Sequence, residues 1–192
     1  MKIIADQQIP LAKQAFSGFG EVHLSDGREI THQLIKDADI LLVRSVTHVD
    51  KNLLDGSKIQ FVATATSGIE HIDINYLKNS EIGFAYAPGS NARSVAEYVL
   101  SSLFVIADQK GYSLQDKTVG IIGCGEIGSR VLSFLEAINV KCVVNDPPLK
   151  DKTDDPLYRD LEEVLKSDII TLHVPLTHDG VYPTLHMVDA GF

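Results

Sequence analysis

The sequence predicts an α/β protein built on parallel sheets, and three observations support that prediction. Short β-branched runs alternate with helical patterns from residue 2 to residue 90. A second series begins at residue 118, where an apolar run, a glycine-rich turn, a helical pattern and another apolar run follow one another. The 192 residues are 44% hydrophobic and 22% charged, which is enough apolar material for the cores of one or two domains.

Residues 1–90 predict one small open α/β domain. Apolar runs separated by helical patterns are typical of parallel strands joined by right-handed crossovers. The expected strands are 2–5, 21–24, 40–43, 61–64 and 82–86, and the expected helices are 8–17, 31–37, 50–54 and 73–79.

Pro88, Gly89 and Ser90 interrupt this pattern, and a long helix is expected at 91–109. Its apolar residues form two stripes, Val95, Val99, Leu103 and Ile106 on one side and Ala96, Leu100, Phe104 and Ala107 on the other. Because a helix that is apolar on two sides is usually buried between two bodies, this helix is expected to connect two domains. The predicted parts are a first domain at 1–90, an interdomain helix at 91–111 and a second domain at 112–192.

A glycine turn follows the strand that is expected at 118–122. Gly123, Gly125 and Gly128 form the pattern G-x-G-x-x-G, a helical pattern continues to residue 137, and an apolar run at 140–144 follows. The pattern alone is weak, but here an acidic residue also lies 18 positions after the last glycine. Strand, turn, helix, second strand and acidic residue together indicate a dinucleotide site.

Each glycine of the turn has an expected role. Gly123 permits the sharp turn, Gly125 lets the backbone approach a pyrophosphate, and Gly128 lets the helix pack closely on the strand. The free N–H groups near Glu126 and Ile127, at the positive end of the helix dipole, are expected to face the anion. A turn without any ligand and a site for S-adenosylmethionine are the alternatives.

Asp146 is the acidic residue that completes this pattern, and it is expected to accept hydrogen bonds from the ribose hydroxyls of an adenosine. A 2′-phosphate would meet a like charge there, and Pro147 and Pro148 provide no arginine to receive it. The sequence therefore favours NAD over NADP.

Two strand ends in the first domain carry unusual residues. Arg44 and Ser45 follow the strand at 40–43, and the small residues 65–68, among them Thr66, follow the strand at 61–64. Ligands of open α/β sheets bind beyond the carboxyl ends of the strands, and backbone N–H groups of small residues can face an anion. Both segments are therefore candidate ligand contacts, with solvated turns as the alternative.

The last part of the chain predicts only a fraction of a dinucleotide domain. A loop is expected at 147–156, a short helix at 157–166 and a third strand at 168–172. A complete doubly wound dinucleotide domain has six strands. The half across the switch point from the strand at 118–122 is therefore expected to be absent, which would leave that strand with an unpaired apolar edge.

The composition argues against several kinds of partner. A net charge of −9 does not suit nucleic acid or an anionic membrane, because both require a basic surface. The N-terminus has no long apolar region of a secretory signal, and the longest apolar stretch, 98–107, is too short to span a bilayer. Cys124 and Cys142 have neither metal-ligand spacing nor a disulfide framework, so no metal is expected and a reducing cytoplasm fits the chain.

Several segments taken together resemble one enzyme family. They are residues 43–47 (VRSVT), 63–73 (ATATSGIEHID), 87–92 (APGSNA) leading into 95–99 (VAEYV), and the glycine turn with Asp146-Pro147-Pro148. Over essentially all 192 residues the chain resembles the D-2-hydroxyacid dehydrogenases. The resemblance implies a flavodoxin-like N-terminal domain that binds substrate, followed by the first half of a Rossmann-type NAD-binding domain.

The resemblance also implies an activity and its residues. The reaction would be NAD-dependent oxidation of 4-phospho-D-erythronate at C2 to the 2-oxo acid, a step of pyridoxal 5′-phosphate biosynthesis. By position, the substrate contacts are Ser45 and Thr66, and the NAD contacts are Gly123, Gly125, Glu126, Ile127, Gly128, Asp146 and Val174. Relatives often carry threonine at the position of Val174, so a backbone contact there would survive and a hydroxyl contact would not.

The resemblance implies that the family's catalytic arginine, glutamate and histidine, and its dimerisation segment, lie beyond Phe192. His71 and His173 are interpreted as ordinary histidines, so no catalytic residue is assigned within the chain. The expectation is an N-terminal portion of a homodimeric dehydrogenase that is inactive alone. An NAD-binding-only protein is the alternative, while a nucleotide-sensing protein has no motif in its favour.

Overall fold

The computed structural model describes residues 1–189 and divides into two compact units. The first is Met1–Ser90, and the second begins at Asn91 and includes the long helix. The role of that helix as a connector between the units stays a prediction.

Phe192 lies outside the described residues. The expectation that the catalytic arginine, glutamate and histidine of the family lie beyond Phe192 therefore stays a prediction, which the structure of residues 1–189 neither confirms nor contradicts. The same holds for the part of the second predicted domain that follows residue 189.

The first unit contains one parallel sheet with helices between its strands. The strands are β1 (Lys2–Asp6), β2 (Glu21–Ser25), β3 (Ile40–Val43), β4 (Phe61–Thr64) and β5 (Gly83–Tyr86). The helices are α1 (Ala12–Phe16), α2 (His32–Ile35), α3 (Lys51–Leu54) and α4 (Ile74–Asn79). The spatial order β2-β1-β3-β4-β5 is the flavodoxin-like order, which confirms the predicted fold class.

The sheet has a core on each face because side chains of successive strand residues point to opposite sides. Ile4, Leu41 and Val43 belong to one buried cluster. Ile3 and Leu42 belong to another. Coverage of both faces is typical of parallel sheets.

Local residues set the helix boundaries in this unit. Asp50 and Asp73 cap α3 and α4, since their carboxylates accept hydrogen bonds from the backbone N–H of Leu53 and Tyr76. The helix predicted at 8–17 begins only at Ala12. Ile9 is disfavoured in helical conformation because it precedes Pro10, and Leu11 is left-handed with a φ of 58°.

The second unit contains a smaller parallel sheet. Its strands are β6 (Thr118–Ile122), β7 (Lys141–Asn145) and β8 (Ile169–Leu172), and its helices are α5 (Ala92–Lys110), α6 (Gly128–Ala137), α7 (Pro147–Thr153) and α8 (Leu161–Val164). The order is β7-β6-β8, so the expectation of an unpaired edge on β6 is wrong. β8 lies across the switch point from β7. The half of the domain that is expected to be absent therefore begins with β8.

Asp168 helps to join β6 to β8. Its Oδ2 accepts a hydrogen bond of 2.8 Å from the backbone N–H of Thr118, and its Oδ1 lies 3.3 Å from Lys117 Nζ. The hydrogen bond from Thr118, followed by the contact with Lys117, lowers the pKa of the Asp168 carboxyl. A single carboxylate thus holds the start of β6 beside the start of β8.

The segment predicted as a loop at 147–156 is largely helical, as α7 (Pro147–Thr153). Pro147 and Pro148 occupy the first helical turn, where the missing N–H groups have no intrahelical partner to lose. The helix predicted at 157–166 is shortened to α8, because Tyr158 instead forms a parallel bridge to Val144 of β7.

The two apolar stripes predicted on α5 are only partly buried. Ala96, Leu103 and Ala107 are buried, whereas Phe104 and Ile106 are exposed. The buried residues pack in the core cluster of the second unit, together with residues of α6 and β6. Within the described residues, no helix is both long and apolar enough to cross a membrane.

Candidate functional site

The glycine turn at the carboxyl end of β6 has the geometry expected of each glycine. Gly123 has a φ of +88°, and a Cβ there would lie 2.8 Å from the carbonyl carbon and oxygen of His173. A Cβ at Gly128 would collide with the carbonyl oxygen of Gly123, so helix and turn meet at backbone contact. A Cβ at Gly125 would meet no heavy atom within 4 Å. Gly125 therefore faces open space, as the approach of a ligand requires.

Asp146 ties this turn to the second strand and to α7. Its Oδ2 accepts a hydrogen bond of 2.7 Å from the N–H of Cys124, and its Oδ1 accepts one of 3.0 Å from the N–H of Leu149. The sequence predicted neither contact. Each carboxylate oxygen can accept more than one hydrogen bond, so Asp146 retains capacity for a ribose hydroxyl.

Glu126 and Ile127 lie between the turn and the first residue of α6. The Glu126 carboxylate is 2.7 Å from the guanidinium of Arg130, which also donates to the Glu126 carbonyl. Because this side chain is engaged with Arg130, a contact from Glu126 to an anionic ligand would come from its backbone. Ile127 is the residue that precedes α6, at the end of the helix that attracts anions.

A cavity of about 440 Å³ lies beside the turn, within the usual range for small-molecule sites. Gly123, Asp146 and Val174 all border it. The other lining residues are mostly apolar: Ile122, Asn145, Pro147, Pro148, Leu161, Pro175, Thr177, Val181, Tyr182, Pro183, Thr184 and Met187. An apolar cavity with one carboxylate at its border suits an adenosine, whose base is flat and whose ribose carries hydroxyls.

His173 extends the pairing of β6 with β8. Its backbone N–H donates a hydrogen bond of 2.7 Å to the carbonyl of Ile122, and its ring Nε2 lies 3.0 Å from Thr171 Oγ1. Burial lowers the pKa of this imidazole, which favours the neutral form. These contacts support a structural role beside the turn.

In the first unit, Arg44 and Ser45 follow β3 directly. Arg44 Nε lies 3.0 Å from Oδ2 of Asp6, the buried last residue of β1. Ser45 is exposed. The structure therefore places the predicted substrate contact Ser45 next to a partly buried ion pair that the sequence did not reveal.

Thr66 takes part in a hydrogen-bonded chain inside its own loop. Its hydroxyl donates to the carbonyl of Gly68 over 2.7 Å and lies 2.7 Å from Thr64 Oγ1. Thr64 Oγ1 in turn lies 3.0 Å from Nε2 of the buried His71. These hydrogen bonds order the loop after β4.

Acid is expected to destabilise the chain through His71 and His173, since burial lowers the pKa of both. Unfolding restores a pKa of about 6.5. The unfolded state then binds protons that the folded state does not, so the free energy of unfolding should decrease as pH falls from about 6.5 towards the folded pKa. Urea denaturation at several pH values should show a flatter dependence for His71→Gln than for the natural chain.

The exposed His178 provides the control for this measurement. The slope measured for His71→Gln is compared with that of His178→Gln, which substitutes a histidine at an exposed position. An equal slope in His71→Gln and the natural chain would contradict the role given to His71.

Among the described residues, no group of three His, Cys, Asp or Glu side chains is arranged to hold a metal ion. Burial raises the pKa of both thiols, that of Cys142 to about 11. At neutral pH the thiols are therefore protonated and are poor nucleophiles.

Sequence reasoning missed Asp6 and the capping role of Asp146. Asp6 ends β1 and Arg44 follows β3, so the rule that ligands bind at the carboxyl ends of strands could have drawn attention to both. The cap could have been found from Asp146 and the two following prolines, because proline favours the first turn of a helix.

Comparison with known proteins places the chain in a family. Residues 2–182 match the family described as D-isomer specific 2-hydroxyacid dehydrogenase, catalytic domain. Erythronate-4-phosphate dehydrogenase of Hahella chejuensis is 50% identical over 190 residues, which cover 99% of this chain and 50% of that protein. The protein of the same name from Cronobacter sakazakii is 46% identical over 190 residues, with 98% and 50% covered. The chain thus spans about half the length of the curated relatives it matches.

A solved structure shows the same likeness. The NAD⁺-bound 3-phosphoglycerate dehydrogenase of Entamoeba histolytica is 31% identical, with a TM-score of 0.74 over 92% of this chain and 63% of that one. The resemblance seen in the sequence motifs is therefore confirmed, and this chain belongs to the D-isomer-specific 2-hydroxyacid dehydrogenase family.

Proposed function

We propose that the chain supplies the NAD-binding turn and part of the substrate site of a dehydrogenase that acts on a 2-hydroxy acid. The observation that carries this proposal is the open face of Gly125 at a turn that borders an apolar cavity with Asp146 at its edge. Family membership supplies the reaction class, and the NAD⁺-bound structural relative supports the choice of cofactor.

The residues present fit the adenosine and pyrophosphate portion of NAD. Gly125 leaves room for the pyrophosphate, and the backbone N–H groups near Glu126 and Ile127 would face it. Asp146 would accept hydrogen bonds from the ribose, and Val174 would contribute its backbone and apolar surface. NAD, when bound, would accept the hydride that leaves C2 of the substrate.

We further propose 4-phospho-D-erythronate as the substrate of the whole protein. The support is the name carried by the curated relatives at 50% and 46% identity. Ser45 would donate its exposed hydroxyl to the substrate, and Thr66 would act mainly through the loop that its hydroxyl orders. The proposed product is the 2-oxo acid, within pyridoxal 5′-phosphate biosynthesis.

The described residues do not include a histidine paired with a carboxylate beside the glycine turn. His173 contacts Thr171, and His71 contacts Thr64. Oxidation of a hydroxyl requires a group that takes its proton, and a positioned base contributes about 10²–10⁴-fold to such reactions. We therefore propose that the 192 residues bind NAD without efficient turnover by themselves.

Mixing the purified chain with NAD and 4-phospho-D-erythronate tests this proposal. Calorimetry should detect NAD binding, while the absorbance of the reduced cofactor should rise at least about 100-fold more slowly than with a full-length curated relative, for want of the base. Turnover at the relative's rate would contradict the proposed incompleteness. Absence of NAD binding would contradict the proposed site.

A further inference from the structure

Arg44 lies where an open α/β sheet binds its ligands. From β1 the chain proceeds outward to β2 and then returns to the other side of β1 as β3. Strand order therefore reverses between β1 and β3, and ligands of such sheets bind in the crevice at that switch point. Asp6 ends β1 on one side of the crevice, and Arg44 follows β3 on the other.

Only one edge of the Arg44 guanidinium is used within the chain. Its Nε donates to Asp6 Oδ2 over 3.0 Å, and its side chain is 35% exposed. Among the residues the structure describes, no hydrogen bond or ion pair engages the two terminal nitrogens. Across all the described residues, Ser167 Oγ is the one buried side-chain nitrogen or oxygen that lacks a hydrogen-bond partner, so the unbonded terminal nitrogens of Arg44 are not buried. The terminal nitrogens of Arg44 therefore reach solvent.

Asp6 holds this side chain in place. It is 0% exposed, and its Oδ1 accepts a hydrogen bond of 2.8 Å from the backbone N–H of Gln8. A carboxylate fixed in this way leaves the arginine little freedom, because the bonded Nε sets the plane of the guanidinium. The pair has no net charge, so selectivity for an anion would come from the free N–H groups and their fixed direction.

The loop around Arg44 is equally well held. The N–H of the buried Thr47 donates to the Arg44 carbonyl over 3.1 Å, and its hydroxyl donates to the Gly27 carbonyl over 2.7 Å. On the other side, the N–H of Ala65 donates to the Val43 carbonyl over 2.9 Å, which brings the loop after β4 alongside. Arg44 thus lies in the loop that carries Ser45, alongside the loop that carries Thr66.

We propose that Arg44 anchors the phosphate group of the substrate through its two terminal nitrogens. The inference rests on the proposed function, which makes the substrate a phosphate ester. A planar guanidinium presents paired N–H groups that match two oxygens of a phosphate, whereas a lysine would offer a single point charge. In a chain of net charge −9, a preoriented arginine gives an anionic substrate a local site.

The test measures binding of three probes to the whole chain by calorimetry, with and without NAD. The probes are 4-phospho-D-erythronate, the unphosphorylated erythronate and inorganic phosphate. The natural chain should bind the phosphorylated acid at least about tenfold more tightly than erythronate, and inorganic phosphate should compete with it, because only these two carry the group that Arg44 recognises.

Two variants isolate the arginine. Arg44→Met alone leaves the buried Asp6 without its partner and risks unfolding, so the decisive variant is Asp6→Asn combined with Arg44→Met. The double variant should lose at least about tenfold in affinity for the phosphorylated acid, as loss of a charge-assisted bidentate contact implies, and should keep its NAD affinity. Arg28→Met, which removes an exposed arginine after β2, should change neither affinity.

Unchanged binding of the phosphorylated acid by the folded double variant would overturn the anchor while leaving the proposed function intact. Equal binding of erythronate and its phosphate by the natural chain would overturn the assignment to the phosphate. If no probe binds the natural chain, both the anchor and the proposed substrate fail, and retained NAD binding would show that the cofactor site stands.

Discussion

Gly128→Ala is expected to destabilise the second unit, whereas Gly125→Ala should leave it stable and abolish tight NAD binding. At Gly128 the new methyl group would meet the carbonyl oxygen of Gly123, and backbone cannot move aside without opening the turn. We expect a loss of about 3 kcal/mol in the free energy of unfolding, at the upper end for an overpacked site. Thermal denaturation followed by circular dichroism would measure it.

Gly125→Ala is the matched control, because the same methyl group enters open space there. Gly125 is absent from the positive-φ glycines, so alanine fits its backbone and stability should change by less than about 1 kcal/mol. The methyl group would occupy the surface that a pyrophosphate approaches, and NAD affinity should fall at least about tenfold, the equivalent of about 1.4 kcal/mol. Undiminished NAD affinity in the folded variant would show that no ligand approaches Gly125.

Asp146→Ala should weaken NAD binding and reduce stability at the same time. The carboxylate accepts hydrogen bonds from Cys124 and Leu149, and loss of a helix N-cap costs about 1–2 kcal/mol. Loss of the hydrogen bonds from the ribose should weaken NAD binding by a further factor of about 10–100, since bonds to charged groups contribute about 1.5–3 kcal/mol. Removal of the negative charge should also lower the ratio of NAD affinity to NADP affinity, because the 2′-phosphate of NADP would no longer meet a like charge.

Asp73→Ala is the control that removes a helix cap without removing the proposed ribose contact of Asp146. Asp73 caps α4 in the first unit with a hydrogen bond of 2.9 Å from Tyr76, so its loss should reduce stability without changing NAD affinity. Calorimetry of both variants with NAD and NADP gives the comparison. An unchanged ratio of NAD to NADP affinity in Asp146→Ala would contradict the proposed ribose contact.

Most of the fold could be predicted from the sequence because its signals are local. The strands of the first unit agree with the prediction to within one residue at their ends. The glycine turn was predictable for the same reason, since a positive φ at Gly123 and a backbone contact at Gly128 are demands that only glycine meets. The helix after Asp146 was not predicted, because paired prolines are also typical of loops.

The sequence by itself determined the family, the parallel α/β class and the position of the glycine turn, since each depends on residues close together in the chain. The tertiary structure decided which strand lies beside β6, because pairing with β8 joins segments about fifty residues apart. It also decided that Asp6 holds Arg44 across 38 positions and that His71 orders the loop of Thr66. Contacts of this kind depend on how the strands are arranged in space, which no local pattern specifies.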